Sequence, residues 1–302
     1  MLLKRFLLDK FNSIKLSAEE RATIMGYNPN AAFGKVYWVD ENTGSDNYDG
    51  LTPKRPFATI GGAITVNNAE VGSYNMNTIY VNAQTYTEDL TAEPKNVNII
   101  GIGAKTRLQG THVFSTSASQ NWHWHHMQFR DTSGVNFTIT GNQYGIGWHD
   151  CIFENSGSAT GAIKVGLAQD MMIEDCKFLG NPVFTTAIQI TSHHYRSIIR
   201  RNYIAATTNG ILIDAASVGY GNFIHENVIG RTMTDPNSSA QMTYGFRSAK
   251  ADGHSGFTLF NNWIEAADSI SFAHTSGTNE TDACLGNVVS QAGTADIEGD
   301  SN

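Results

Sequence analysis

The sequence predicts an all-β fold of one kind: a right-handed, single-stranded parallel β-helix of about nine rungs over residues 35–290. Three observations predict it: a column of anchor residues that recurs every rung, apolar columns that keep step with it, and a second strand of the same period. The segments WHDCIF, IEDCKF, IRRNYI, IHENVI, LFNNWI and CLGNVV align on their fourth residue. That column is Cys151, Cys176, Asn202, Asn227, Asn262 and Asn287, in steps of 25, 26, 25, 35 and 25, and Met127 extends it one rung earlier by 24. The long step carries the loop insertion RTMTDPNSSAQ at 231–241.

The flanking columns hold the same register. Three residues before the anchor stand Trp124, Trp148, Ile173, Ile199, Ile224, Leu259 and Cys284, and two after it stand Phe129, Phe153, Phe178, Ile204, Ile229, Ile264 and Val289. Both are apolar, as inward positions must be when single rungs bury their faces only by stacking. A second strand repeats through Ile139, Ile163, Ile188, Ile211, Phe246 and Ile270. The Cys and Asn anchors form a structural ladder. Asn suits a bend, because it tolerates left-handed backbone and its amide can bond to the rungs above and below. Cys151 and Cys176 fill the same slot as small buried thiols, since side chains in register on parallel strands suit a disulfide poorly.

Composition agrees with stacked β structure. Charged residues are 16%, glycines number 29 and prolines 6, which is too apolar for disorder. The net charge of −8 favours neither nucleic acid nor an anionic membrane. The longest apolar runs fall short of a membrane span. The start, MLLKRFLLDKF, is broken by Lys4, Arg5, Asp9 and Lys10 and leads to no small-residue cleavage site, so no signal peptide is expected.

The lead-in carries a resemblance. YWVDENTGSDNYDGLTPKRPFATIGGAI (37–64), TIYVNAQTYTEDL (78–90) and VNIIGIG (97–103) look like the opening of pectate-lyase-like parallel β-helix proteins. The resemblance implies a helix at about 56–66 that caps the first rung, with Ala58, Ile60, Ala63 and Ile64 on its buried side. It leaves activity open, because that superfamily holds pectate lyases, polygalacturonases, phage tailspikes and silent structural proteins.

The catalytic candidates are Asp150, Asp175 and Arg201, each one residue before the anchor on successive rungs. Stacking sets such acids about 5 Å apart, the separation of a retaining glycosidase pair, but it does so for any two stacked acids. A surface ladder in which Arg201 relieves Asp175 is the competing reading. In the WHWHH run, Trp122 and Trp124 fall in inward columns, while His125, His149, Glu174, Arg200 and His225 form an outward stripe. Imidazoles one rung apart could bind a metal or polarise a sugar, but no two-histidine-one-carboxylate spacing stands out, and no metal or cofactor is expected.

Residues 1–34 differ in character. Leu2, Leu3, Phe6, Leu7, Leu8 and Phe11 make an apolar helical stripe among Lys4, Arg5, Lys10 and Lys15, and Ser17 with Glu20 starts a second short helix. This segment is a cap or an anchor, with Leu3, Phe6, Leu7 and Phe11 as the anchor side chains. Residues 291–302 form a polar tail. Phage tailspikes and head fibres resemble this plan. The expected function is a virion structural protein, a decoration or fibre-type homotrimer docked on capsid or tail proteins through residues 1–34. The alternatives are a polysaccharide lyase or glycoside hydrolase, and a glycan-binding solenoid without turnover.

Overall fold

The computed structural model describes residues 34–71, 76–103, 105–115, 119–180, 183–214, 219–230, 241–249, 256–272, 283–290 and 297–298. Leu3, Phe6, Leu7 and Phe11 of the arm, and residues 231–240 of the insertion, lie outside the described residues.

The chain winds as a right-handed parallel β-helix with three faces. Ten strands stack along the first face, from Val36–Val39 to Ala283–Leu285. The second and third faces belong to one sheet, because Gln128–Ile139 and Ile152–Val165 each run across both. Ile152–Val165 pairs through its first residues with Lys177–Gly180, and through its last with Phe184–Ile190. At about 4.8 Å per strand, ten layers make a shaft roughly 45 Å long. Ile297 pairs with Ile270, so the segment read as a tail adds a last strand to the third face.

The two apolar columns flanking the anchor pair in register along the whole shaft. Phe129, Phe153 and Phe178 are fully buried, and the last two stack with ring centroids 4.7 Å apart and planes 2° apart. Trp122 and Trp148 meet edge to face at 5.2 Å. The third-face column needs one correction. Ile163 pairs with Phe137, and Ile139 pairs with Val165. A bulge between Asn155 and Gly161 shifts the register there, so Ile139 lies one inward position further along.

A cap closes the N-terminal end. Its helix is Ile60–Glu70, later than 56–66, and buries Ile60, Ala63, Ile64 and Asn67. Ala58 precedes the helix, because Thr59 is the N-cap and its Oγ1 accepts from Gly62 N. Asp46 accepts from the backbone N–H groups of Ala58 and Thr59, which explains the Gly-Ser-Asp of the lead-in. Glu88 accepts from Ile60 and Gly61 N at 2.8 Å each, covering the helix's first free donors. Phe57 is fully buried against Gly50, where any Cβ would lie 2.1 Å from the ring. Among the described residues no helix is long and apolar enough to cross a membrane.

The anchor column is a continuous ladder. Asn202 N and Nδ2 both donate to Asn227 Oδ1 at 3.0 Å, and Asn227 and Asn262 repeat the pattern onto Asn262 and Asn287. Each Nδ2 also reaches a backbone carbonyl, as Asn227 does to Ile199 O at 2.9 Å. Cys176 N joins by donating to Asn202 Oδ1, while the thiols of Cys151 and Cys176 remain free. The left-handed residue is not the Asn but its predecessor: His126, Asp150, Asp175, Arg201, Glu226 and Asn261 all have φ between 49° and 57°. The Asn is needed for its amide, not for its backbone.

Asn227→Ala removes the acceptor of two Asn202 donors and the donor to Ile199 O, all buried. It should cost about 3 kcal/mol or more in urea unfolding. Asn202→Cys, which reproduces the two rungs before it, should cost clearly less.

Candidate functional site

From Asn96 at its entry and His126 at its exit, the first face is bounded by a single left-handed residue per turn. Asn96, Asn121, Asp170 and Arg196, with Gly145, Gly221 and Gly256, form the column at its entry. His126 to Asn261, with Gly286, form the column at its exit. These two columns hold all ten non-glycine residues of positive φ among the described residues. Each exit residue donates its N–H to the next rung, as Asp150 does to Glu174 O at 3.1 Å and Arg201 to His225 O at 3.2 Å. The corner turns its side chain outward, and that is where Asp150, Asp175 and Arg201 sit.

The geometry separates these three. Arg201 holds Asp175 through two bonds of 2.8 and 2.7 Å, and reaches Glu174 at 3.2 Å. Asp150 turns the other way along the shaft, to His126 Nδ1 at 2.9 Å. The two acids are thus engaged with partners on opposite sides. The Arg201 bond, against a smaller effect of burial, holds the Asp175 carboxyl below its ordinary range.

The face beside the corner carries the outward stripe expected from the sequence, joined by His123 into a bonded network. His123 Nδ1 lies 2.8 Å from His149 Nε2, and His149 Nδ1 lies 2.8 Å from Glu174 Oε1. Arg200 Nε donates to Glu174 Oε2 at 2.7 Å. His125 stacks on His149 at 4.6 Å with planes 13° apart, and bonds Asn98 Oδ1 at 3.3 Å. Burial pushes the Glu174 carboxyl up, but bonds from His149 and Arg200 outweigh it and leave it below the usual range. Burial, then the charge of His149, pushes His123 and His125 down to about 4. His225 stacks on Phe260 at 4.5 Å and is lowered mainly by burial. Among the described residues no group of three or more His, Cys, Asp or Glu is placed to share a metal ion.

Around the corner lies a cleft of about 530 Å³, lined by Ile102, His126, Met127, Asp150, Ile152 and Lys177 among others. Its wall is largely apolar, and the His126–Asp150 pair and Lys177 supply its charge. Near the entry corner, Tyr195 and Tyr220 stack in parallel at 5.9 Å, beside the Asp170–Arg196 ion pair. Tyrosine at both positions is visible in the sequence. Their shared outward column is not, because it lies beyond the six-residue repeat.

No family model matches the chain, and no curated protein matches it. Among solved structures it is similar to a rhamnogalacturonan lyase, at 10% identity and TM-score 0.47, over 85% of this chain and 87% of that one. It is similar to PfbA, a surface adhesin of Streptococcus pneumoniae, at 9% identity and TM-score 0.43, over 77% and 76%. It is also similar to the Dettilon tailspike protein, at 11% identity and TM-score 0.41, over 84% of this chain and 50% of that one. The parallel β-helix rests on the strand pairing of this chain, not on these likenesses.

The corner geometry makes a contrast testable at Glu226, whose φ is 57°. Glu226→Gly removes the left-handed penalty of about 1 kcal/mol and should leave stability equal or higher. Glu226→Val should lower it by more than about 1 kcal/mol, because a β-branched side chain resists that backbone. Thermal melts of the two variants check this.

Proposed function

We propose that the chain is a structural shaft subunit of a virion-type assembly, a β-helical fibre or decoration protein that associates side by side as a homotrimer and attaches through residues 1–34. The observation that carries the reading is an apolar edge at the C-terminal end of the shaft. Leu285, on the first face, is 63% exposed, and Trp263 and Val288, on the second, are 50% and 56% exposed. Phe260 and Leu285 lie on one flank of the exit corner, and Trp263 and Val288 on the other, one pair per turn. Apolar exposure of this concentration marks a contact surface.

The two flanks suit copies of the same chain. Rotation about an axis parallel to the shaft keeps every rung at its height. The first-face flank of one copy then meets the second-face flank of the next, Phe260 beside Trp263 and Leu285 beside Val288. Unlike flanks meet in the same way about a two-fold or a three-fold axis, and the trimer is the closure we propose. Light scattering of the full chain is expected to give a trimer, and the pair Trp263→Glu and Leu285→Glu a folded monomer. A monomeric parent at micromolar concentration would overturn the reading.

A second reading has its own observation. The Tyr195–Tyr220 stack presents parallel rings, with Tyr220 58% exposed, as a flat platform for the apolar face of a sugar. In this reading the shaft binds surface glycan without turnover. Tyr220→Ala should then weaken binding on a glycan array at least about tenfold, in line with a lost aromatic contact. Equal binding, or none by the parent, sinks it.

A further inference from the structure

We propose that Glu93 is a proton-operated latch for the N-terminal cap: its neutral carboxyl seats the helix Ile60–Glu70 on the shaft, and ionisation loosens it. Glu93 lies on the segment that leads from Leu90 into the strand Val97–Ile102. The helix is pinned to this segment by two side-chain amides. Asn68 Nδ2 donates to Glu93 O at 2.7 Å, and Asn67 Nδ2 donates to Lys95 O at 2.8 Å. Asn67 Oδ1 in turn accepts from Asn77 Nδ2 at 2.9 Å, and Asn77 N donates to Asn96 O at 2.8 Å. Helix, segment and first-face strand therefore meet in one bonded joint.

The Glu93 carboxyl is the exception in that joint. The residue is 4% exposed, both oxygens are shut off from water, and neither has a hydrogen bond of good geometry. Two groups favour its charge: the Gln143 amide, from the strand Gln143–His149, and Lys95 on its own segment. Gln143 is fully buried, and its Oε1 is already engaged by Trp122 Nε1 at 3.3 Å. The helix adds the neutral Asn67 and Asn68, while its Glu70 is taken up by Lys35 and Tyr37. A buried carboxylate without bonds is far costlier than the buried acid, so burial prevails and pushes the group up to about 7.

With the cap open, the carboxyl regains water and its ordinary value of 4.5. Closure is then favoured in full below about 4.5, weakens as the pH rises towards 7, and changes no further above that. The carboxyl that must reach water and the carbonyl that holds Asn68 belong to one residue, so freeing the first pulls on the second. The helix packs against the strand Val36–Val39, the last of the first-face sheet at that end. The latch thus governs the closed end of the shaft, and it depends on neither reading of function above.

His112 titrates in the opposite sense. Its Nδ1 accepts from Leu90 N at 3.3 Å, and burial pushes it down to about 3. The stability it contributes is lost as the pH falls below 6.5. The two groups partly cancel in an overall melt, and only the difference between Glu93→Gln and the parent isolates the latch.

The test is hydrogen exchange by mass spectrometry on the full-length protein at pH 5 and pH 8, corrected for intrinsic rates. In the parent, opening of residues 60–71 and 93–96 should rise at least about tenfold between the two conditions. In Glu93→Gln, which keeps the shape of the neutral acid, the rise should shrink to less than about twofold. Variant and parent should melt together at pH 5, and the variant should melt higher at pH 8. Lys95→Met, which removes a charge that favours ionisation, should move the midpoint of opening to higher pH. If Glu93→Gln does not fold, carbon-13 NMR of the parent's glutamate carboxyls decides, with one expected to titrate near 7. The proposal is overturned if the parent's cap opens equally at both pH values, or if folded Glu93→Gln keeps the parent's rise. It is overturned equally if every glutamate carboxyl titrates below about 5.

Discussion

The rest of the structure depends on one corner. From His126 onward the chain leaves the first face through a single left-handed residue on each turn, followed by an inward side chain, and from Cys176 onward that following residue joins the ladder. For a residue other than glycine that backbone costs roughly 1–2 kcal/mol. It persists because its N–H meets a carbonyl on the next rung, and because the following Asn satisfies both a neighbour's N–H and a neighbour's carbonyl. The bonds run along the shaft, so no rung is satisfied alone. Length changes leave this corner untouched, and across the 35-residue step between Asn227 and Asn262 the ladder is unbroken.

The same corner explains the charges that look catalytic. A left-handed residue at a convex corner has its side chain in solvent, directly beside the equivalent side chains one rung away. Charged residues there pair along the column whatever their role, as Asp175 does with Arg201 and Asp150 with His126. Such pairs are exposed and screened, so each contributes little to stability. The first face beside the corner differs. There His149 and Glu174 are mostly shielded by neighbours, and their bonds fix ring orientations rather than merely balancing charge.

The ladder and the inward columns were legible in the sequence because buried positions permit few residue types. Asn recurs only where its amide is used twice, and the column beside it runs from Trp124 through Ile224 to Leu259 without a polar member. The corner itself was illegible. His, Asp, Arg, Glu, Asn and Gly share no chemistry, and their common property is a backbone angle. Attributing that angle to the Asn misplaced it by one residue. Ile139 was misassigned for a related reason: a bulge inserts residues without changing their type, so Phe137 and Ile139 are equally good inward candidates until the pairing is known. The His123–His149 bond was hidden because in register His149 pairs with His125, and its ring reaches diagonally to the residue beside Gly147.

The two ends of the shaft differ in a way that bears on assembly. A β-helix ends in open strands that template pairing with other chains unless they are covered. Here the N-terminal edge is covered. Trp38 N donates to Gly50 O, Asp40 N to Phe57 O, and Phe57 N returns to Trp38 O, with the helix Ile60–Glu70 packed beside them. End-to-end stacking onto that edge is therefore closed off. Lateral contact through polar corners such as Asp175–Arg201 would cost desolvation of charges already satisfied within the chain. At the C-terminal end the corner residues are Asn261 and Gly286, which carry no charge, and the flanks beside them are apolar. On these turns uncharged corners and exposed apolar side chains, Trp263, Leu285 and Val288, stand side by side, so packing against them would desolvate no corner charge and would remove apolar surface from water.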